Sequence, residues 1–532
     1  MAQIYKNFDD GMLYVIPQKG GRFPICNLFE VDRIIIPINM NDDVDIKYLI
    51  KVYDKYHYNQ NFYLTVSQLN DSKSLKNLFF NHMIIFSDKS LDIIIEYIKS
   101  EIEECQSKDK VIYQTGIIGW QDIPGLKDKL FVLSQNSNSP YPIEYFDNTL
   151  KFKNGTMEGQ NQFIIDNIIP FKETRLAMVL GLSSVVASYI EQYKSIGTLV
   201  VNVSGKSSTG KSSIAELSAS FFATPETSNY GIVRTFNATK NFIFSMSEGR
   251  NGLPIILDDA NANSSEHSKA DLIYQFAMGE PRGRCGNLGV VQNKRVGWSG
   301  IVILTSEMPL LDSERVSRGA NARCITLDSI PWTQSAEHSD VIKEGVRSNY
   351  GYIGEAFANF IQRKGASNLL DLHSKYTKAI ISKMIYKDSL SNRIASKLAI
   401  IALTAHLIPE FNNDFTIDVE EIMDMMIEAE QKSVDTRDIA TISFELLIDY
   451  ITQKQSHFCV YQRVKEHQNL SELTSIARGD TFGMYLYDEG SYVYILKSIF
   501  DKFLKDNHIS ENRTILQEWK TRRTNNRNRR RS

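Results

Sequence analysis

The sequence predicts an α/β protein: a P-loop ATPase core of the additional-strand class, with an α/β N-terminal domain, a helical lid and a C-terminal winged-helix-like module. Three observations carry this. Gly205-Lys206-Ser207-Ser208-Thr209-Gly210-Lys211-Ser212 matches G-x-x-x-x-G-K-[ST] in full, between an apolar run at 199–203 and a helical pattern of Ile214, Leu217, Phe221 and Phe222. A second apolar run, 253–257, ends in Asp258-Asp259. A third, 300–304, ends in Thr305-Ser306-Glu307.

Length and charge bound the rest. A chain of 532 residues exceeds one core. Its boundaries are expected near 1–150 (accessory domain), 151–335 (ATPase core), 336–434 (lid), 435–520 (last module) and 521–532 (basic tail). Its 42% hydrophobic and 23% charged residues are ordinary for a globular protein. No signal-peptide pattern opens the chain. The run at 176–190 is too short and too serine-bearing to span a membrane. The five cysteines form no C-x-x-C pair, which argues against zinc and disulfides and for a cytoplasmic setting.

The N-terminal 150 residues mix strand-like runs at 33–38 and 83–86 with a helical run at 91–105. A polar stretch at 134–140 closes them. Helical patterns follow from residue 159 and at 176–190. In the loop that comes next, glycine lets successive N–H groups converge on phosphate oxygens, and the following helix adds its positive end. Gly205, Ser207, Ser208, Thr209, Gly210, Lys211, Ser212 and Ser213 form the expected ATP cradle. Lys211 would reach the β- and γ-phosphates and Ser212 would hold Mg2+.

A short strand at 231–236 precedes a helix at 238–248 with Asn237 as its cap. Asp258 would hold Mg2+ through water, and Asp259 would orient or deprotonate the attacking water. Thr305 and Ser306 are candidates to read the γ-phosphate. Arg315, Arg318 and Arg323 follow, one of them a candidate finger for a neighbouring subunit's ATP site. Between 282 and 298 lies a hairpin pattern carrying Arg282, Arg284, Lys294 and Arg295. Cations at a hairpin tip suit nucleic-acid phosphates better than polypeptide.

Helices are expected at 341–362, 370–386, 390–407 and 419–430, with Arg393 a possible second phosphate sensor. The last module reads as a helix at 436–453, a hairpin of 484–487 with 492–496, and helices at 498–505 and 513–520. Its aromatics are expected in the core. Residues 519–532 carry a net charge of +7 against −10 for the rest of the chain, a candidate phosphate-backbone contact.

Gly119-Trp120, Gly159-Gln160, the loop 205–212, Leu257-Asp258-Asp259, Trp298, Leu304-Thr305-Ser306-Glu307 and Ala320-Asn321-Ala322-Arg323 together resemble a family of phage and mobile-element ATPases long filed as a domain of unknown function. Its characterised relatives are the MCM-like, self-loading replicative helicases of staphylococcal cassette chromosomes. The resemblance is clear over 116–328 and weaker from there to Trp519. It implies an AAA+ fold, a homo-oligomeric ring (a hexamer), ATP hydrolysis between subunits and translocation on DNA. It also implies that the basic hairpin is a pore element contacting DNA. Relatives usually carry Asp-Glu where this chain has Asp258-Asp259. The shorter side chain sets its carboxylate back by about one C–C bond, and such displacements cost on the order of 100-fold in rate.

The leading expectation is thus an ATP-driven DNA helicase or replication initiator. The alternatives are an oligomeric ATPase switch in a regulatory or anti-phage assembly and, disfavoured by the basic hairpin, a polypeptide-remodelling ring.

Overall fold

The chain opens on antiparallel strands, in which buried positions alternate with more exposed ones at 49–53 and 61–64. The computed structural model describes residues 3–18, 20–39, 44–53, 60–134, 142–146, 150–228, 230–236, 239–259, 269–280, 297–311, 322–385, 387, 390–432, 439–463, 471–487, 491–507 and 515–521. Strands β1 (Gln3–Asn7), β2 (Met12–Ile16), β3 (Phe23–Ile38), β4 (Lys47–Tyr53) and β5 (Gln60–Thr65) pair in chain order. The long β3 also takes a parallel neighbour, β6 (Val111–Thr115), along its second half.

Helices α1 (Val66–Asn70), α2 (Ser72–Asn81) and α3 (Leu91–Ser107) follow β5. Ile94, Tyr97, Ile98 and Cys105 of α3 share one core with Leu28, Phe29, Val31 and Ile34 of β3. The Tyr97 hydroxyl donates to the Phe29 carbonyl at 2.8 Å. Residues 83–86, expected as a strand, form none. Ile84 and Phe86 are buried and Ile85 exposed, as in a strand, but the Ile85 N–H goes to the Asn27 side chain rather than to a ladder.

The Gly119-Trp120 pair has a packing reason. It lies in β7 (Ile118–Gln121), which pairs with β8 (Leu130–Val132), while β9 (Ile143–Tyr145) extends the first sheet beside β6. Gly119 has φ +96°, and a Cβ there would sit 1.8 Å from the Asn251 carbonyl oxygen. Trp120, fully buried, donates its indole N–H to the Val185 carbonyl at 3.1 Å.

The continuous apolar runs become a parallel sheet, the arrangement in which a strand is buried on both faces. After α4 (Met157–Asn167) and the almost wholly buried α5 (Lys172–Glu191) come β10 (Leu199–Ser204), α6 (Lys211–Ser220), β11 (Val233–Thr235), α7 (Lys240–Ser247), β12 (Arg250–Asn251), β13 (Ile255–Asp258), α8 (Lys269–Met278), β14 (Ile301–Ser306) and β15 (Cys324–Asp328). Among the described residues, β12 joins β7, and the central sheet has the order β11-β13-β14-β10-β15, every pair parallel. β14 thus separates the strand with the glycine loop from the strand with the two acids. Ser204 pairs with Ser306 and with Asp328, so the polar strand ends share one edge. Helix α7 is capped by Thr239 instead of Asn237, which lies outside the described residues.

The helix expected at 341–362 is two, α9 (Ala336–Ser348) and α10 (Ile353–Lys364). The break sits at Gly351, with φ +89° and the Phe152 carbonyl 1.6 Å from where a Cβ would be. Helices α11 (Ala366–Lys383), α12 (Ser391–Phe411) and α13 (Val419–Lys432) complete this region, and one core runs from Ile118 through the sheet to Ile427 of α13. By length and composition α12 could cross a membrane, but most of it is buried inside the protein.

Lys397 of α12 is buried and donates to the Thr198 carbonyl at 3.3 Å. Burial lowers its pKa from 10.5 to about 8. Above about pH 8 the folded chain releases a proton that the unfolded chain keeps until near 10.5. Stability therefore gains roughly 1 kcal/mol per pH unit across that window and loses it as pH falls back. Lys397→Met is expected to remove this slope, read as the difference between wild-type and variant denaturation midpoints at about pH 7.5 and 9.5.

The final module holds α14 (Ile439–Gln453), β16 (Phe458–Arg463), β17 (Ser471–Ser475), β18 (Gly483–Tyr487), β19 (Ser491–Ile495) and α15 (Lys497–Asp506), with helix again at 515–521. The expected hairpin is β18–β19. It belongs to a sheet ordered β17-β16-β18-β19, in which β16 runs parallel to β18. Leu447, Ile451, Phe458, Phe503 and Leu504 form its core. Tyr492 and Tyr494, expected inside, are 41% and 49% exposed.

Candidate nucleotide site

The glycine loop leaves β10 at Gly205 (φ +145°) and enters α6 at Gly210 (φ +88°), with Ser208 also left-handed at +65°. Glycine is required at 210, since a Cβ would meet the Thr333 side chain at 2.6 Å. Residues after β15 brace the loop from below. The Ser204 hydroxyl donates to Asp328 at 2.6 Å, the Ser329 N–H to the Ser204 carbonyl at 3.0 Å, and the Trp332 N–H to the Thr209 carbonyl at 2.9 Å. The first turn of α6 thereby presents its unpaired N–H groups at the sheet's carboxyl edge.

Lys211 folds back on this loop. Its Nζ donates to the carbonyls of Gly205 and Lys206, each at 2.7 Å. Burial lowers its pKa, and Glu307, Asp258 and Asp259 oppose that in decreasing order. An incoming anion would offer the ammonium a stronger partner than two carbonyls.

Across the cleft, Thr305 ties the acids together. Its hydroxyl donates to the Asp258 carboxylate and accepts the Asp259 N–H at 2.9 Å. Asp259 is exposed and left-handed, with φ +59°. The Ser306 hydroxyl donates to the Met308 carbonyl and accepts from the Asn202 amide, at 2.7 and 2.8 Å. Glu307 accepts the Ser207 hydroxyl at 2.7 Å.

Ser207, Ser208, Gly210, Lys211, Ser212, Ser213, Asp258, Asp259, Thr305, Ser306 and Glu307 all line one cleft of about 550 Å³. Ala336, Ser339, Asp340 and Lys343 of α9 complete it. No motif marks these four; they arrive because α9 packs along α6. The Ser213 and Ser339 hydroxyls lie 2.6 Å apart, and Arg347 grips Glu216 with two bonds of 2.8 and 3.0 Å. Arg323 lies elsewhere, its guanidinium 4.6 Å over the Tyr274 ring, and Arg393 is exposed on α12, outside this lining. Arg282, Arg284, Lys294, Arg295, Arg315 and Arg318 lie outside the described residues.

The donor set suits Mg2+ shared with phosphates. That ion takes one or two carboxylates plus phosphate oxygens, and one hydroxyl (Ser212) and one carboxylate (Asp258) face the same cleft. Among the described residues no group of three His, Cys, Asp or Glu could form an all-protein metal cage.

The model of the family described as "Domain of unknown function (DUF927)" matches residues 29–296. The chain belongs to the DUF927 family. The matched segment begins within β3, so the family unit includes most of the first sheet, the loop and the acid pair, and ends before β14. No curated protein sequence matches the chain.

Among solved structures, that of SCCmec type IV Cch, described as an active helicase, matches at 18% identity with a TM-score of 0.74, covering 97% of this chain and 93% of that one. The resemblance to the cassette-chromosome helicases thus holds at the level of the fold. The apo A-form structure of the NrS-1 C-terminal region matches at 11% identity, covering 70% of this chain and 87% of that one, but with a TM-score of only 0.21.

Proposed function

We propose that this DUF927 protein is an ATP-dependent, ring-forming DNA helicase or replication initiator of a mobile element or phage. The single observation behind the ATPase part is the convergence of the glycine loop, Lys211, Ser212 and the Asp258–Asp259 pair on one cleft at the carboxyl edge of a parallel sheet. Such a site cradles a triphosphate by backbone N–H groups and a lysine. The fold likeness to a helicase and the cations at 282–295 support the DNA part.

In this reading, residues 151–335 are an AAA+ core, 336–434 its lid, 435–520 a winged-helix-like module and 521–532 a basic tail, with 1–150 accessory. Lys211 draws the terminal phosphate to the loop, and Asp259 orients the attacking water. Bound Mg2+, held by Ser212 and Asp258, would neutralise phosphate charge. Arg315, Arg318 or Arg323 reaches a neighbouring copy's site.

The test is phosphate release with sedimentation. The wild-type chain is expected to release phosphate from ATP, to stop when Mg2+ is chelated, and to assemble into a larger particle with triphosphate. Absence of phosphate release from ATP would end this reading.

A further inference from the structure

The end of β14 presents three polar side chains, and two of them are already committed. The Thr305 hydroxyl serves Asp258 and the Asp259 backbone, and the Ser306 hydroxyl serves Met308 and Asn202; both residues are at most 2% exposed. Glu307 is different. It is exposed, it lines the cleft, and its carboxylate reaches across to the Ser207 hydroxyl of the glycine loop. It is also the largest acidic influence on Lys211, ahead of Asp258 and Asp259.

We infer that Glu307 is the general base for triphosphate hydrolysis, with Asp259 left to orient the water. This rests on the ATPase reading of the cleft. Glu307 carries one methylene more than Asp259, lines the same cleft and stands where the loop meets the end of the neighbouring strand. The entering triphosphate competes for the Ser207 hydroxyl, so Glu307 is released as the substrate seats. Its carboxylate then takes a proton from the water. The water oxygen bonds to the terminal phosphorus while the bond from phosphorus to the β,γ-bridging oxygen breaks. The nucleoside diphosphate departs with that electron pair. The same contact makes Glu307 an anion beside incoming phosphates, which opposes binding until the side chain turns away.

The test uses the full chain, with ATP for turnover and a non-hydrolysable ATP analogue for calorimetric binding. Glu307→Gln is expected to lower kcat by about 100-fold or more, as loss of a general base does. It should bind the analogue as tightly as wild type or more tightly, because an opposing charge is gone. Glu307→Asp should recover part of kcat. Because Glu307 is exposed, neither change removes core packing. A Glu307→Gln variant whose kcat stays within about threefold of wild type overturns the assignment while leaving the ATPase reading intact. So does one that loses analogue binding and kcat together, since that marks a binding role. A wild-type chain that binds the analogue yet releases no phosphate overturns the ATPase reading and this inference with it.

Discussion

Replacing Lys211 by alanine is expected to abolish ATP hydrolysis and every activity driven by it. The ammonium is held over the loop by the Gly205 and Lys206 carbonyls, both at 2.7 Å, and it lines the cleft that also holds Asp258 and Asp259. Removing one preorganised charge donor costs on the order of 100- to 1,000-fold in rate. Here ground-state binding falls too, because the lysine neutralises the triphosphate before reaction. The fold should survive, since Lys211 is only half-buried and its two acceptors are loop carbonyls at the solvent edge. Phosphate release, with the thermal midpoint as control, checks both statements. A variant retaining more than about a tenth of wild-type turnover would contradict the role given to Lys211.

The second large effect is expected at the basic run. Lys294→Ala combined with Arg295→Ala should leave basal ATPase in place while removing its stimulation by DNA and the separation of strands. Each lost phosphate contact weakens DNA binding regardless of base sequence and shallows the salt dependence by about one unit of log–log slope. Two together should shift DNA affinity by roughly tenfold or more at moderate salt. ATPase titrated with single-stranded DNA at several salt concentrations reads this directly. Normal unwinding by the double variant would show that the basic run makes no DNA contact.

The parts of this molecule that were legible in the sequence are those written in contiguous residues. β10, β13 and β14 are apolar runs with polar ends, and nothing but a buried parallel strand accommodates such runs beside a glycine loop. Gly119, one of the residues that carry the family resemblance, is needed because the Asn251 carbonyl passes so close. What stayed hidden depends on packing between distant segments. Ser339, Asp340 and Lys343 reach the cleft only because α9 lies against α6. The break between α9 and α10 follows from the approach of the Phe152 carbonyl to Gly351, which no helical periodicity reports. β16 and β17 were missed because their alternation is weak and one neighbour is parallel. The separate hydrogen-bond partners of Thr305, Ser306 and Glu307 cannot be read from a run of three polar residues.

Asp259, a short carboxylate, suits a slow switch as well as a motor, and the general-base role proposed for Glu307 favours the motor. The most direct measurement is therefore ATP hydrolysis with and without single-stranded DNA, run alongside unwinding of a forked duplex by the same preparation. The account predicts hydrolysis that rises with single-stranded DNA and ATP-dependent separation of the fork. Triphosphate-dependent assembly without strand separation would contradict it and assign the chain to the switch.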